Sequence, residues 1–320
     1  MTLIESDLRP LDGPAPLPVV AEFDGIPVSG LLAEAPAPRA VLVALHGGAT
    51  DSTYFDCPGH PELSLLRLGQ RLGYTVLALD RPGYGSSAPF TEELTPAQRR
   101  VDLMYGVVDS LLANRERGAG VFLMAHSAGC ELALRMASAD RGADLLGLEL
   151  AGTGRNHHPK AQEVLWGPRS EGGRRPIGLG GLLWKPRRLY PPSLGGGAIY
   201  VPGPKLEAQT IADWAEHHFP SLAARVRIPV RYTAGEYEAI WRNDPEEVAR
   251  IGALFEAAPR VVLNLQPNTG HNASLGYTAA AYHLKVLSFV EECVVAATTG
   301  EFTGPTTQFD GGASAAREVR

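Results

Sequence analysis

One serine lies where an apolar strand of the sequence turns directly into a helix. Ser127 follows the buried-strand pattern of Val121–Ala125 and opens a helical pattern that extends to Ser138. Such a turn strains the serine backbone and exposes its hydroxyl at the carboxyl end of the strand, where small neighbours avoid a clash. The start of the helix directs the Ala128 N–H and the helix dipole toward an oxyanion. The pattern therefore predicts that Ser127 is a nucleophile and that Ala128 is an oxyanion donor.

Glycines after an earlier strand predict a second donor for the same oxyanion. The strand pattern Ala40–Leu45 ends in His46-Gly47-Gly48-Ala49. Glycines at this point let the backbone bend so that an N–H faces the cavity into which the serine hydroxyl points. We expect that donor to be Gly48, with Ala49 as the alternative.

An acid and a base follow two later strands of the same predicted sheet. Glu236 and Glu238 come after the strand pattern Ile228–Ala234, and His271 lies on the loop after Arg260–Gln266. Each residue lies in a loop after a strand, where sheets of this kind carry their sites. A base makes a serine hydroxyl nucleophilic, and an acid orients the base. Periodicity does not choose between the two glutamates, because residues two apart share a face of an extended segment.

The elements that position these residues alternate between strands and helices. Asp24-Gly25 predicts a hairpin turn between the first two strands, and continuous apolar runs predict parallel strands buried on both faces. Asp244 predicts the N-cap of a late helix. The eight predicted strands are Val19–Phe23, Pro27–Ala33, Ala40–Leu45, Thr75–Leu79, Val121–Ala125, Leu145–Leu150, Ile228–Ala234 and Arg260–Gln266. This order predicts an α/β fold, with a mostly parallel sheet and helices on both faces.

These motifs resemble those of the α/β-hydrolase superfamily over residues 19–297. The resemblance implies an eight-stranded, mostly parallel α/β-hydrolase sheet with helices on both faces and a lid insertion. It implies that Ser127 is the nucleophile and His271 the base, and that Gly48 and Ala128 form the oxyanion hole.

The chain departs from the family's pattern at two positions. Ala125 stands where the serine turn usually begins with glycine, and a methyl group is small enough to fit there. Glu238 lies where the family's Gly-x-x-Asp places its acid, counted from Gly235. Because the acid is a glutamate and Glu236 lies two residues earlier, Glu236 remains the alternative.

The segment after the sixth predicted strand interrupts the alternation of strands and helices. The expected parts are a first core part at 1–151, a cap or lid at 152–220, a second core part at 221–297 and a disordered tail at 298–320. A long loop is uncommon in a compact domain unless it is a lid or binding element. Residues 152–204 include eight basic and two acidic residues. This charge indicates either a solvated surface or an entry surface that steers an anionic substrate.

Aromatic residues near the site predict an apolar pocket of medium size. Tyr54 and Phe55 follow the oxyanion loop, Trp241 follows the acid, and Trp166 and Trp184 lie in the expected cap. We therefore expect the substrate to be a medium-sized, mostly apolar small molecule that carries an acyl group.

Together these residues predict a serine hydrolase that cleaves an ester, thioester, lactone or amide through an acyl-enzyme on Ser127. The sequence does not separate these bonds, because the pocket rather than the fold sets the substrate. A carbon–carbon bond hydrolase or a cyclase of a metabolic intermediate would use the same triad. A ligand-binding protein without turnover is a third hypothesis, which the intact constellation disfavours.

Composition indicates no nucleic acid, membrane, metal or cofactor as a partner. The net charge of −6 is mild, and no apolar run reaches the roughly 18 residues of a membrane span. The three cysteines fit neither a paired disulfide framework nor a zinc motif. The amino-terminal residues lack the pattern of a signal peptide. We therefore expect a cytoplasmic enzyme with reduced thiols, and the sequence carries no indication of its oligomeric state.

Overall fold

One ten-stranded sheet forms the centre of the computed structural model, which describes residues 13–168, 176–194, 199–205, 207, 214–300, 306–310 and 315–316. The strands are β1 Leu17–Phe23, β2 Ile26–Ala33, β3 Val41–Leu45, β4 Thr75–Leu79, β5 Val121–His126, β6 Gly147–Ala151, β7 Val230–Gly235, β8 Arg260–Gln266, β9 Thr306–Phe309 and β10 Ala315–Ala316. Their order in the sheet is β1-β2-β4-β3-β5-β6-β7-β8-β9-β10. Pairing is parallel from β4 to β9, whereas β1, β2 and β10 pair antiparallel with their neighbours.

The apolar strands send side chains into two separate cores. In β3, Val41, Val43 and Leu45 belong to one core, whereas Leu42 and Ala44 belong to the other. Successive side chains of a strand point to opposite faces of the sheet. A strand with all five side chains buried must therefore be covered on both faces, as its continuous apolar run predicts.

Helices supply that cover on both faces. They are α1 Leu65–Arg71, α2 Ala97–Leu111, α3 Gly129–Ser138, α4 Pro159–Leu165, α5 Leu179–Leu183, α6 Phe219–Ala223, α7 Pro245–Gly252 and α8 Ala279–Thr299. Helices α2, α3, α6 and α7 contribute to one core, and α1 and α8 contribute to the other. Among the described helices, none is both long enough and apolar enough to cross a membrane.

The strand order opens a crevice at the carboxyl end of β3. Leu45, the last residue of β3, pairs with Leu79 of β4 on one side and with Ala125 of β5 on the other. Because the chain turns to opposite sides of β3, the connections diverge at this edge, which is where such sheets bind ligands. The loop after β3 and the turn after β5 therefore face each other.

Helix boundaries agree with the sequence signals where a capping side chain sets them. The Asp244 carboxylate accepts from the Glu247 N–H at 3.1 Å, and Pro245 occupies the first position of α7. Helix α3 differs from the prediction, since it begins at Gly129 instead of Ser127. Ser127 has φ of 51°, a left-handed conformation that cannot continue into a right-handed helix.

The carboxyl-terminal residues raise the number of strands from the predicted eight to ten. The expectation that 298–320 is disordered is wrong for β9, which pairs with β8, and for β10, which pairs with β9. Arg231 is 1% exposed, and its Nη2 donates to Asp310 Oδ2 at 3.0 Å. A buried cation needs such partners. The polar composition of the tail did not reveal this long-range contact.

Residues 152–220, which we call the cap segment, connect β6 to β7. Their described part contains α4, α5, the beginning of α6 and short turns. The Val201 N–H donates to the Ala49 carbonyl at 3.0 Å, so the cap segment contacts the loop after β3 directly. Three of the eight basic residues counted in the sequence, Arg169, Arg174 and Arg175, lie outside the described residues.

Candidate active site

Ser127 lies in a sharp turn between β5 and α3. Its N–H donates to the Ala151 carbonyl at the end of β6, at 2.8 Å, which fixes the turn to the neighbouring strand. Two residues later, a Cβ on Gly129 would lie 2.5 Å from the His46 carbonyl oxygen. Only glycine therefore allows α3 to begin so close to β3 and leaves the serine hydroxyl at the mouth of the crevice.

His271 connects Ser127 to Glu238. The His271 Nε2 lies 3.0 Å from Ser127 Oγ, and its Nδ1 lies 2.9 Å from Glu238 Oε2. An ionised carboxylate only accepts hydrogen bonds, so Nδ1 carries the proton and Nε2 is free to accept from the serine. His271 is 3% exposed and Glu238 is 7% exposed, so little water competes for these bonds. The geometry is that of a serine whose proton a histidine can remove.

Glu238, rather than Glu236, is the carboxylate that the fold brings to the histidine. Its Oε1 also accepts from the N–H groups of Ala239 and Ile240, at 2.9 and 2.8 Å. Burial acts to raise the pKa of Glu238, but the charge and hydrogen bond of His271 and the N–H groups of Ile240 and Trp241 outweigh it and lower the pKa. Glu236 is exposed and accepts from the Asn268 N–H at 2.7 Å.

The contacts of the Gly47 carbonyl set the direction of the Gly48 N–H. The Gly47 carbonyl accepts from His46 Nδ1 at 2.8 Å and from Arg81 Nη2 at 2.9 Å. In a trans peptide the carbonyl of one residue and the N–H of the next point in opposite directions. The Gly48 N–H therefore points away from His46 and Arg81, which suits it to pair with Ala128 as an oxyanion donor.

The alternative donor, Ala49, is already engaged. Its N–H donates to Tyr84 Oη at 2.9 Å, and Tyr84 Oη in turn donates to Glu207 Oε2 at 2.7 Å. Glu207 also forms a partly buried ion pair with Arg81. Its carboxylate lies 3.1 Å from where a Cβ on Gly48 would be. These contacts favour Gly48 over Ala49 and connect the cap segment to the oxyanion loop.

Sequence reasoning missed the part that Arg81, Tyr84 and Glu207 have at the site. No motif in the sequence assigns the loop of Arg81 and Tyr84 to the site, and Glu207 lies 126 positions from Arg81 in the chain. No local pattern relates residues at such a separation. Glu207 reaches Arg81 and Tyr84 because the cap segment folds onto the core.

His126, the residue before the serine, was also missed. Its Nε2 lies 2.9 Å from the His271 carbonyl, and its ring stacks on Tyr54 with 4.5 Å between centroids. A carbonyl only accepts, so Nε2 carries the proton. Burial, followed by the nearby His271, holds the pKa of His126 well below its usual value. The sequence signal that could have identified this role was the position of the histidine at the end of a buried strand, from which it can support the loop of His271.

A cavity of about 760 Å³ lies over the serine. Tyr54 and Trp184 line it, as the sequence predicts, together with Ile199 and two basic residues of the cap segment, Lys185 and Arg187. The volume is in the range of about 300–1,000 Å³ that small-molecule sites occupy. The cavity thus combines apolar walls with positive charge near the hydroxyl.

Three aromatic residues predicted for the pocket do not line it. Phe55 is buried edge-on against Tyr54, because neighbouring residues of a short turn point in different directions. Trp166 is 70% exposed on the surface of the cap segment. Trp241 stacks on His157 with 4.0 Å between ring centroids, so its indole is engaged outside the cavity.

The described residues contain no group of three or more His, Cys, Asp or Glu side chains arranged to hold a metal ion. The cysteines Cys57, Cys130 and Cys293 are buried and unpaired. Burial raises the pKa of the Cys57 and Cys293 thiols to about 12, so neither forms a nucleophilic thiolate near neutral pH.

Comparison with known proteins identifies a family and a relative to which the chain is similar in sequence. The model of the family described as "Alpha/beta hydrolase family" matches residues 41–282. The protein ABHD14A of Rattus norvegicus is 38% identical over 73 residues, which are 23% of this chain and 28% of that protein. The match thus spans little more than a quarter of the length of this curated relative.

Solved structures of esterases and lipases share the whole architecture. A soluble variant of monoglyceride lipase from Saccharomyces cerevisiae superposes with a TM-score of 0.64 and 17% identity, covering 89% of this chain and 98% of that chain. A carboxyl esterase from Bacillus coagulans gives a TM-score of 0.61 and 17% identity, covering 88% and 100% of the two chains. At this identity the likeness concerns the fold alone.

Proposed function

The chain belongs to the α/β-hydrolase family, and we propose that it is a serine hydrolase that forms an acyl-enzyme on Ser127. One observation carries the proposal: a continuous path of hydrogen bonds joins Ser127 Oγ to His271 at 3.0 Å and His271 to Glu238 at 2.9 Å. An acyl-transfer nucleophile needs a base and an acid that orients the base. Here His271 contacts the serine directly, and Glu238 contacts His271 from the other side of its ring.

Acylation begins when His271 Nε2 takes the hydroxyl proton of Ser127. The alkoxide attacks the substrate carbonyl, and the N–H groups of Gly48 and Ala128 stabilise the oxyanion that forms. Glu238 stabilises the imidazolium through Nδ1. The carbon–leaving-group bond then breaks, and His271 donates its proton to the departing alkoxide, thiolate or amine.

Deacylation repeats these steps with water as the nucleophile. His271 removes a proton from the water, the hydroxide attacks the acyl carbon, and the same two N–H groups stabilise the second oxyanion. Ser127 then leaves and takes back a proton from His271. The products are a free carboxylic acid and an unmodified serine.

The cavity supports a medium-sized, mostly apolar acyl substrate. Its volume of about 760 Å³ and its aromatic wall of Tyr54 and Trp184 favour an ester, thioester, lactone or amide whose body is apolar. We propose further that the substrate carries an anionic group. Lys185 lines the cavity and forms no ion pair with the described residues, whereas Arg187 donates to the Pro191 and Pro192 carbonyls.

A panel of four-carbon acyl donors tests the function. p-Nitrophenyl butyrate, a butyryl thioester and butyranilide share the butyryl group, and γ-butyrolactone would transfer a 4-hydroxybutyryl group. They are compared by kcat/KM, each with the unmodified protein and with Ser127→Ala. We expect turnover of at least one donor, and a butyryl group on Ser127 in acid-quenched samples examined by peptide mass spectrometry.

Two outcomes would overturn the proposal. One is turnover that persists unchanged in Ser127→Ala, and the other is an acyl group trapped on a different residue during turnover. If no donor reacts while a fluorophosphonate still labels Ser127, the serine is activated but the carbonyl substrates are wrong. The carbon–carbon bond hydrolase then becomes the better hypothesis.

A further inference from the structure

A second serine, histidine and glutamate form a hydrogen-bonded array away from the cavity. His60 Nε2 lies 2.8 Å from Ser193 Oγ, and His60 Nδ1 lies 2.9 Å from Glu62 Oε1. His60 and Glu62 precede α1 in the core, whereas Ser193 belongs to the cap segment, 133 positions along the chain. None of the three lines the cavity over Ser127.

The tautomer of His60 follows from its two partners. The Glu62 carboxylate only accepts, so His60 Nδ1 donates to it and Nε2 is left as an acceptor for the Ser193 hydroxyl. His60 is 7% exposed, and the Glu62 side chain is 12% exposed. The imidazole is thus oriented by a carboxylate in a largely dry place, while Ser193 itself is exposed. A solvent-accessible hydroxyl therefore lies against an oriented base.

The backbone on both sides of this contact is held in place. Arg187 Nη2 donates to the carbonyls of Pro191 and Pro192, at 2.9 and 2.7 Å, where the turn that carries Ser193 begins. Leu194, directly after the serine, is buried. On the other side, the Leu63 N–H donates to the His60 carbonyl at 3.0 Å. The hydroxyl and the imidazole thus meet between two anchored turns.

Among the described residues, the array lacks the strand-to-helix turn that we propose supplies oxyanion donors at Ser127. Ser193 lies in a three-residue 3-10 turn, Pro192–Leu194, and does not have the left-handed backbone of Ser127. A positioned base accelerates a proton transfer by about 10²–10⁴-fold. Each oxyanion donor contributes a further factor of about 10²–10³. The geometry thus suits Ser193 to react with an activated donor, but not to turn one over.

We propose that Ser193 is a modification site that accepts an acyl group from an activated ester or thioester. His60 Nε2 takes the hydroxyl proton, the Oγ–carbon bond forms, and the bond from the carbonyl carbon to the leaving group breaks. The proton then passes from His60 to the leaving phenolate, alkoxide or thiolate. Because hydrolysis of the new ester needs the same missing donors, the acyl group stays on Ser193.

Acetylation of the Ser127→Ala protein by p-nitrophenyl acetate tests the proposal. The variant removes the reaction at the first serine, so the test does not depend on the proposed function. Peptide mass spectrometry over time gives the acetylation rate at Ser193 and, in the same sample, at Ser221. Ser221 is an exposed serine whose hydroxyl donates only to the carbonyls of His217 and His218, which makes it an internal control.

We expect acetyl-Ser193 to form at least about 10²-fold faster than acetyl-Ser221, since only Ser193 has a base. Adding His60→Gln should remove that advantage, and adding Glu62→Gln should reduce it. The proposal is overturned if Ser193 reacts no faster than Ser221 in Ser127→Ala, a comparison that needs no change at His60. It is equally overturned if the folded His60→Gln protein reacts at the same rate, and the array then only fastens the cap segment to the core.

Discussion

Ser127 and Ser193 each lie within 3.0 Å of a histidine that a glutamate orients, yet different backbones carry them. The two histidines are almost equally buried, at 3% for His271 and 7% for His60. Ser127 stands before a ten-residue helix in a left-handed turn, whereas Ser193 stands in a three-residue 3-10 turn.

The difference between the two arrays lies in what surrounds the reacting carbonyl. In the proposed mechanism the N–H groups of Gly48 and Ala128 stabilise the oxyanion at Ser127, and the cavity over Ser127 would hold the substrate. A serine, a base and an acid activate a hydroxyl, but stabilising the oxyanion also requires positioned N–H donors. The comparison teaches that three side chains do not define a catalytic site by themselves.

The largest expected effect is the loss of turnover in Ser127→Ala. We expect kcat for a p-nitrophenyl ester to fall on the order of 10⁴-fold or more, because the nucleophile is gone. The matched change Ser193→Ala should alter kcat less than about twofold, since that serine touches no part of the cavity. Steady-state kinetics of the two variants checks this. Equal losses in both would show that the two arrays are not separate in function.

The second-largest expected loss of kcat concerns the two candidate acids. Glu238→Gln should lower kcat by up to about 10⁴-fold, because an amide no longer holds His271 in the correct tautomer. Glu236→Gln should lower it less than about threefold, since Glu236 contacts only a loop N–H outside the triad. Measured kcat values rank the two variants. The reverse ranking would move the acid to Glu236.

Three buried histidines should make folding stability depend on pH. Burial keeps the pKa of His126 and His46 well below 6.5 and lowers the pKa of His283 to about 3, so all three stay neutral in the folded protein. Below about pH 6.5 the unfolded chain binds protons that the folded chain does not. The free energy of unfolding therefore decreases as the pH is lowered. Each histidine contributes at most about 2 kcal/mol of that loss at pH 5.

Urea unfolding at pH 7.5 and pH 5 measures this dependence. The lowered pKa of Glu238 adds a loss only at lower pH, as that carboxylate is protonated. His126→Asn should make the protein lose less stability between the two pH values, although it is less stable at pH 7.5. An unchanged difference in that variant contradicts the proposed neutral state of His126.

The smallest expected effect concerns the charge of the cap segment. Salt screens long-range attraction over about 8 Å at physiological ionic strength, so added salt should lower kcat/KM a few-fold for an anionic ester. A neutral ester of the same size should show no change. Lys185→Gln should reduce the salt effect without altering kcat for the neutral ester. If both esters respond alike, the positive residues of the cap segment do not steer the substrate.

The sequence by itself determined the parts of this protein that depend on local pattern. The apolar runs predict the parallel strands, and the small residues around Ser127 predict a sharp turn into a helix. Because parallel strands align their carboxyl ends, residues after separate strands meet at one edge. The amino-acid sequence alone therefore predicts that Ser127, Gly48 and His271 lie close together.

The tertiary structure decided what depends on contacts between distant residues. In the fold, the side chain of Glu238 rather than that of Glu236 points to His271, and the Ala49 N–H donates to Tyr84. The fold also pairs Ser193 with His60 across 133 positions. Contacts of this kind produce no periodic pattern in the sequence. Each depends on the path of the loops in the folded protein and on which side-chain rotamer the packing allows.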